Sequence, residues 1–113
     1  MNPAELVERL ALRVHSGRDE LARAVSGGYT GDLLSDVIAN GQKGQVWVTI
    51  QIHPNIIAVA VLKELAAIVI ANGREPAAET VDRAQKEHVP ILGTTLTAFE
   101  IAGRLHGLGV RGD

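Results

Sequence analysis

Gln45-Val46-Trp47-Val48-Thr49-Ile50-Gln51-Ile52-His53-Pro54-Asn55 decides how the chain is read. Val46, Val48, Ile50 and Ile52 alternate with Trp47, Thr49 and Gln51, a period of two that predicts a strand ending at His53-Pro54. Pro54 suits the first position of a helix, where its missing N–H would have had no partner, so a helix is predicted from Pro54 to Leu65. The run Ile56 to Leu62 is β-branched and apolar on every side, and reads either as a strand or as a helix buried all round. Length and capping favour the helix.

Downstream, Ala67 to Ile70 is a continuous apolar run of the kind found in a parallel strand covered on both faces, and Asn72-Gly73 ends it. Pro76 to His88 predicts a surface helix with Val81 and Ala84 inward. Val89 to Leu92 predicts a last short strand. Thr97-Ala98-Phe99-Glu100 then has capping-box spacing and opens a helix with Ile101, Ala102, Leu105 and Leu108 on its apolar face. Strand and helix alternate from Gln45 onward, which predicts a mainly parallel sheet with right-handed crossovers, in a two-layer or three-layer α/β domain.

Upstream, Pro3 to Leu12 predicts an amphipathic helix and Val14 a short strand, with a polar connection from Ser16 to Glu20. A further strand is expected from Ala24 to Gly28. Thr30-Gly31-Asp32 is expected to cap a helix running to about Ile38 and closed by Asn40-Gly41. The glycine-rich tail after Leu105 is expected to be loose. The expectation is one domain over 1–113, its core about 12–108.

Composition narrows the function classes. A chain with 46% hydrophobic and 21% charged residues can bury a core and lacks the polar signature of disorder. The net charge of -2, without a basic run, argues against nucleic acid as a partner. The absence of cysteine excludes disulfides, thiolate metal sites and cysteine nucleophiles. Acidic residues stand where a signal peptide has its basic flank, and Lys63 and Glu64 interrupt the most apolar region, so neither export nor membrane insertion is expected and the location is read as cytoplasmic.

In a parallel sheet the ligand crevice lies beyond the carboxyl ends of the strands, where helix N-termini expose free N–H groups. The loops concerned carry Tyr29, Thr30, Asp32 and Asp36, then His53 and Asn55, then Asn72, Gly73 and Arg74, then Thr94 and Thr95. Hydroxyls, amides and a guanidinium together suit an anionic or nucleotide-like ligand. For Thr30, Asp32 and Thr95 helix capping is a competing explanation, and for His53 a capping or half-buried role. The four histidines lie far apart in sequence with no H-x-x-x-H pair, so no metal is expected. No phosphate loop, dinucleotide fingerprint or nucleophile elbow is present, and Ser35-Asp36 falls mid-helix. No catalytic residue and no cofactor are therefore assigned.

Gly28-Tyr29-Thr30-Gly31-Asp32-Leu33-Leu34-Ser35-Asp36-Val37, the strand into His53-Pro54-Asn55-Ile56, Ile70-Ala71-Asn72-Gly73-Arg74-Glu75-Pro76 and Val89-Pro90-Ile91-Leu92-Gly93-Thr94-Thr95 together resemble the DRTGG-domain family, over roughly residues 12–108. The resemblance implies a fold similar to the N-terminal domain of HPr kinase/phosphorylase and a regulatory, ligand-sensing role beside CBS or phosphotransacetylase domains. It also implies that a serine-kinase activity is not to be expected, since that family's phosphate-binding loop lies in a separate domain. Some stand-alone members accompany iron-only hydrogenases. His53-Pro54 stands where the family has Asp-Arg, and Ala71-Asn72-Gly73 where it has Thr-Gly-Gly. Two functions are expected: a non-catalytic regulatory domain binding a small anionic ligand, or a homo-oligomeric accessory module without one. The apolar Ile56 to Leu62 segment and Trp47 favour a homodimer.

Overall fold

The computed structural model describes residues 1–112. Five strands form one sheet in the order β1-β5-β4-β3-β2: β1 (Arg13–Ser16), β2 (Gly27–Thr30), β3 (Gln45–Thr49), β4 (Ala67–Ile70) and β5 (Ile91–Gly93). β2 to β5 run parallel, and β1 lies antiparallel against β5. The helices α2 (Leu34–Asn40), α3 (Asn55–Lys63) and α4 (Ala78–Glu87) connect successive parallel strands and pack on one face. Helices α1 (Pro3–Leu10) and α5 (Ala98–Gly107) cover the other, so the domain has three layers. Strands added in one direction with every crossover on one side are what a constant crossover hand requires.

β3 is buried at all five positions. Trp47 enters the core beneath α2 to α4, while Val46 and Val48 enter the one beneath α1 and α5. The alternation in sequence thus separates two covered faces, not a wet face from a dry one. The strand also stops at Thr49, short of the predicted His53. Beyond it the Ile50 N–H donates to Asp32 Oδ1 (2.8 Å), and the Ile52 carbonyl accepts from Thr80 Oγ1 (2.7 Å) and the Ala77 N–H (3.2 Å). These bonds take the backbone out of the sheet.

The apolar run Ile56 to Leu62 is helical, as its length predicts, but the helix spans Asn55–Lys63 with Pro54 as its N-cap instead of its first residue. Ile56, Ile57, Val59 and Ala60 are buried, whereas Val61 and Leu62 face outward, so α3 is one-sided and not enclosed all round. In α4 the buried residues are Thr80 and Ala84; Val81, expected inward, is only half-buried. Thr97 caps α5 as the capping box predicts, accepting from the Glu100 N–H at 3.2 Å. α2 begins two residues beyond Asp32 and has no side-chain cap.

β2 lies three residues further on than expected at its start. The tail, expected to be loose, is docked against it: Val110 is buried and the Gly28 N–H donates to the Arg111 carbonyl at 2.8 Å. A Cβ at Gly27 would stand 2.6 Å from that carbonyl oxygen, so glycine is what admits the tail. The tail thereby occupies part of an edge otherwise open to pairing.

β1 carries a bulge. Val14 pairs with Leu92 and Ser16 with Ile91, leaving His15 as the extra residue. Ser16, 1% exposed, repairs the ladder with its side chain: Oγ donates to the Val89 carbonyl (2.8 Å) and accepts from the Ile91 N–H (3.0 Å). Ser16→Ala leaves two buried backbone groups unpaired, and urea unfolding is expected to show a loss of about 1–3 kcal/mol. A smaller loss than that would remove the hydroxyl from its bridging role.

Candidate functional site

The polar loops at the carboxyl edge of the parallel strands are built by backbone geometry. Asn72 (φ 63°) and Gly73 (φ 66°) adopt successive left-handed conformations that turn the chain back after β4, as Asn and Gly tolerate best. The turn is laced to the loop after β5: Asn72 N–H donates to the Leu96 carbonyl and Gly73 N–H to the Thr94 carbonyl, both at 2.8 Å. Thr94 N–H reaches the Ile70 carbonyl at 3.1 Å, and Thr94 Oγ1 accepts from the Leu96 N–H at 3.1 Å. The two loops form a stiff shelf.

β1 supplies the opposite wall. Being antiparallel, it brings its first residue to the carboxyl edge, with Arg13 in register with Gly93. His15, the bulged residue, lays its imidazole over Gly93, where a Cβ would come within 2.6 Å of Nε2. Between shelf and strand is a cleft of about 330 Å³. Arg13, His15, Arg74, Glu75, Thr94, Thr95 and Arg104 line it, with Leu10, Ala11 and Leu96 as an apolar lip. Three guanidiniums and one carboxylate give it a positive balance.

The charges are arranged unevenly. Arg13 Nη1 meets Glu75 Oε1 at 2.8 Å, and Glu75 Oε2 lies 3.8 Å from His15 Nδ1. Arg104 Nε is 3.7 Å from Glu100 on α5. Arg74 makes no ion pair among the described residues. The His15 side chain is only 7% exposed, and burial holds its pKa below the ordinary value, with Glu75 pulling upward and Arg13 pushing down.

Of the residues singled out in the sequence, Gly73, Arg74, Thr94 and Thr95 line this cleft, and Asn72 shapes its turn. The other loops of the same edge are occupied by contacts of their own. Asp32 Oδ1 accepts from Thr49 Oγ1 and from the Ile50 N–H, both at 2.8 Å, so Asp32 locks the loop after β2 onto the end of β3 instead of capping α2. Tyr29 donates its hydroxyl to Asp36, which pushes the tyrosine pKa up to about 12, and Asp36 also accepts from Asn40. Tyr29 and Thr30 border a separate depression of about 230 Å³ against α5 and the tail. His53 Nδ1 accepts from the Asn55 N–H at 3.2 Å, a cap for α3, and neither residue lines the cleft.

Arg13, His15, Glu75 and Arg104 carry no signal in the sequence that marks them as site residues. The strand around Val14 is legible there, but its direction is not, and only an antiparallel neighbour of the last strand brings Arg13 and His15 to the carboxyl edge. No group of three or more metal-ligating side chains occurs among the described residues. The chemistry on offer is recognition of an anion, because guanidinium forks match carboxylate or phosphate oxygens two at a time.

The lowered pKa of His15 sets a sign for stability. The unfolded chain binds a proton at His15 below about pH 6.5 that the folded chain resists, so stability is lost as pH falls beneath that value. Wild type is expected to lose stability relative to His15→Gln between pH 7.5 and 5 in parallel urea titrations. Superimposable pH profiles would contradict the burial effect.

The family model for the DRTGG domain matches residues 5–108. No curated protein sequence matches the chain significantly. Among solved structures, the fold is similar to the crystal structure of the CBS and DRTGG domains of the regulatory region of Clostridium perfringens pyrophosphatase, complexed with its activator diadenosine tetraphosphate. The TM-score is 0.75 at 13% identity, over 97% of this chain and 47% of that one, so the chain spans about half the length of the structure it resembles. With a three-layer sheet of this topology and a family match over nearly its whole described length, the chain belongs to the DRTGG domain family.

Proposed function

We propose that the chain is a non-catalytic, cytoplasmic regulatory domain that binds a small anionic, nucleotide-like ligand in the cleft between β1 and the loops after β4 and β5. The observation that carries this reading is the convergence of Arg13, Arg74 and Arg104 on one cleft with a single lining carboxylate. A volume of about 330 Å³ lies at the lower end of the range for small-molecule sites. The stiff shelf supplies preorganisation, which limits the ordering cost of binding. That the similar Clostridium region was captured with a dinucleotide activator supports the same ligand class here. Catalysis is not part of the proposal: the cleft offers three guanidiniums, two threonine hydroxyls, an imidazole and a carboxylate, and neither hydroxyl is hydrogen-bonded to His15 or Glu75 as an activated nucleophile would be.

A second reading has its own observation. Leu62 is 65% exposed and Val61 44%. With Ile57 and Ala58 they border an apolar depression of about 320 Å³ flanked by Arg83 and Glu87. A homodimeric accessory module, attached to a larger enzyme, would use such a face, with Arg83 of one copy opposing Glu87 of the other.

Both readings are open to measurement. Millimolar nucleotides are expected to raise the melting temperature by several degrees, since ligand at a hundred times its dissociation constant stabilises by about 2.7 kcal/mol. Arg74→Ala is expected to weaken that binding about tenfold or more. No shift with mono-, di- or tetraphosphate compounds would defeat the ligand reading. For the alternative, sedimentation velocity should show a dimer that Leu62→Asp dissociates, and a wild-type monomer at high concentration would dismiss it.

A further inference from the structure

Resting on the anionic reading of the same cleft, we infer that Glu75 is an internal stand-in for the ligand: its carboxylate fills the place between Arg13 and His15 that a ligand phosphate takes, and swings out when the phosphate enters. The two carboxylate oxygens are divided between the two bases. Oε1 lies 2.8 Å from Arg13 Nη1, and Oε2 lies 3.8 Å from His15 Nδ1. Two oxygens of one phosphate can span the same pair, with the added strength of a second negative charge on Arg13.

The remaining geometry fits displacement better than a permanent bridge. Glu75 sits in the loop after β4, its side chain is 63% exposed, and Arg13 and His15 are its polar side-chain partners among the described residues. An exposed pair of this kind contributes little to stability, so opening it is easy. The loop backbone is tied down one residue earlier, where Arg74 N–H meets the Ala71 carbonyl, which leaves the side chain as the moving part. His15, by contrast, cannot move away. Its ring is pinned over Gly93, it is almost fully buried, and it makes no hydrogen bond within the described residues, so a ring nitrogen faces the cleft with only the distant Glu75 oxygen to answer it. The charged groups that face His15 are Arg13 from its own strand and Glu75 from the loop, with Arg74 and Arg104 lining the same cleft.

A stand-in anion makes the site selective. It neutralises Arg13 in the absence of ligand and costs every competing anion the small free energy of the pair, a handicap that a phosphate dianion offsets more fully than a monoanion. Removing the carboxylate is therefore expected to tighten phosphate binding, whereas loss of a ligand-contacting group weakens it.

The test is calorimetric titration of wild type, Glu75→Gln and Glu75→Ala with inorganic pyrophosphate and with adenosine 5′-monophosphate and 5′-triphosphate. Both variants are expected to bind the probes roughly two- to tenfold more tightly than wild type. Probes that bind wild type but bind the variants equally or more weakly overturn the stand-in role and leave the anionic cleft standing. Probes that bind none of the three proteins overturn the cleft reading as well. The His15 ring protons supply a readout independent of affinity: their NMR titration midpoint should fall in Glu75→Gln, because Glu75 raises it, and should rise when a probe binds. A midpoint unmoved by the Glu75→Gln change also overturns the stand-in role.

Discussion

Where Arg13–Ser16 runs antiparallel to Ile91–Gly93, a side chain takes over part of the backbone's hydrogen bonding. The Ser16 hydroxyl bridges the Val89 carbonyl and the Ile91 N–H, and this allows His15 to be expelled from the ladder as a bulge. Everything at the cleft depends on that pairing. Without the reversed strand, Arg13 would lie at the opposite edge of the sheet.

The second requirement is the stiffness of the facing shelf. A loop that carries an arginine into a cleft is of little use for recognition if it must be ordered at each binding event. Here the lacing of Asn72 and Gly73 to Leu96 and Thr94 continues the hydrogen bonding of β4 and β5 beyond the last sheet residues. The loops after β2 and β3 are stiff too, but for a different end. Asp32, Asp36, Tyr29 and His53 use their hydrogen-bonding capacity on neighbours, and so hold helices and strand ends in place.

Residues of the same types, in loops at the same edge, therefore divide into a structural set and a set facing open space. His53 and His15 show the division most plainly. His53 is exposed and occupied by a cap, while the His15 side chain is largely covered and without a hydrogen-bond partner among the described residues, although the loop position of His53 makes it the more evident candidate in the sequence. The apolar surface of α3 at Ile57, Ala58, Val61 and Leu62 is a separate feature that shares no lining residue with the cleft.

The alternation of apolar runs, prolines and capping residues from Gln45 onward was sufficient by itself to determine a parallel α/β sheet, the α3 helix, β4 and the capped start of α5. These are local signals, carried by periodicity and by the chemistry of helix ends, and each is complete within about a dozen residues. The position of Arg74 and Thr94 at the carboxyl edge came from the same pattern. Only the tertiary structure decided that β1 is reversed, that the tail covers β2, that Asp32 is a lock, and that Arg13, His15 and Glu75 meet Arg74. Arg13 and Glu75 are 62 residues apart, and no local preference encodes which strand edge a short terminal segment will join; pairing across the sheet settles it.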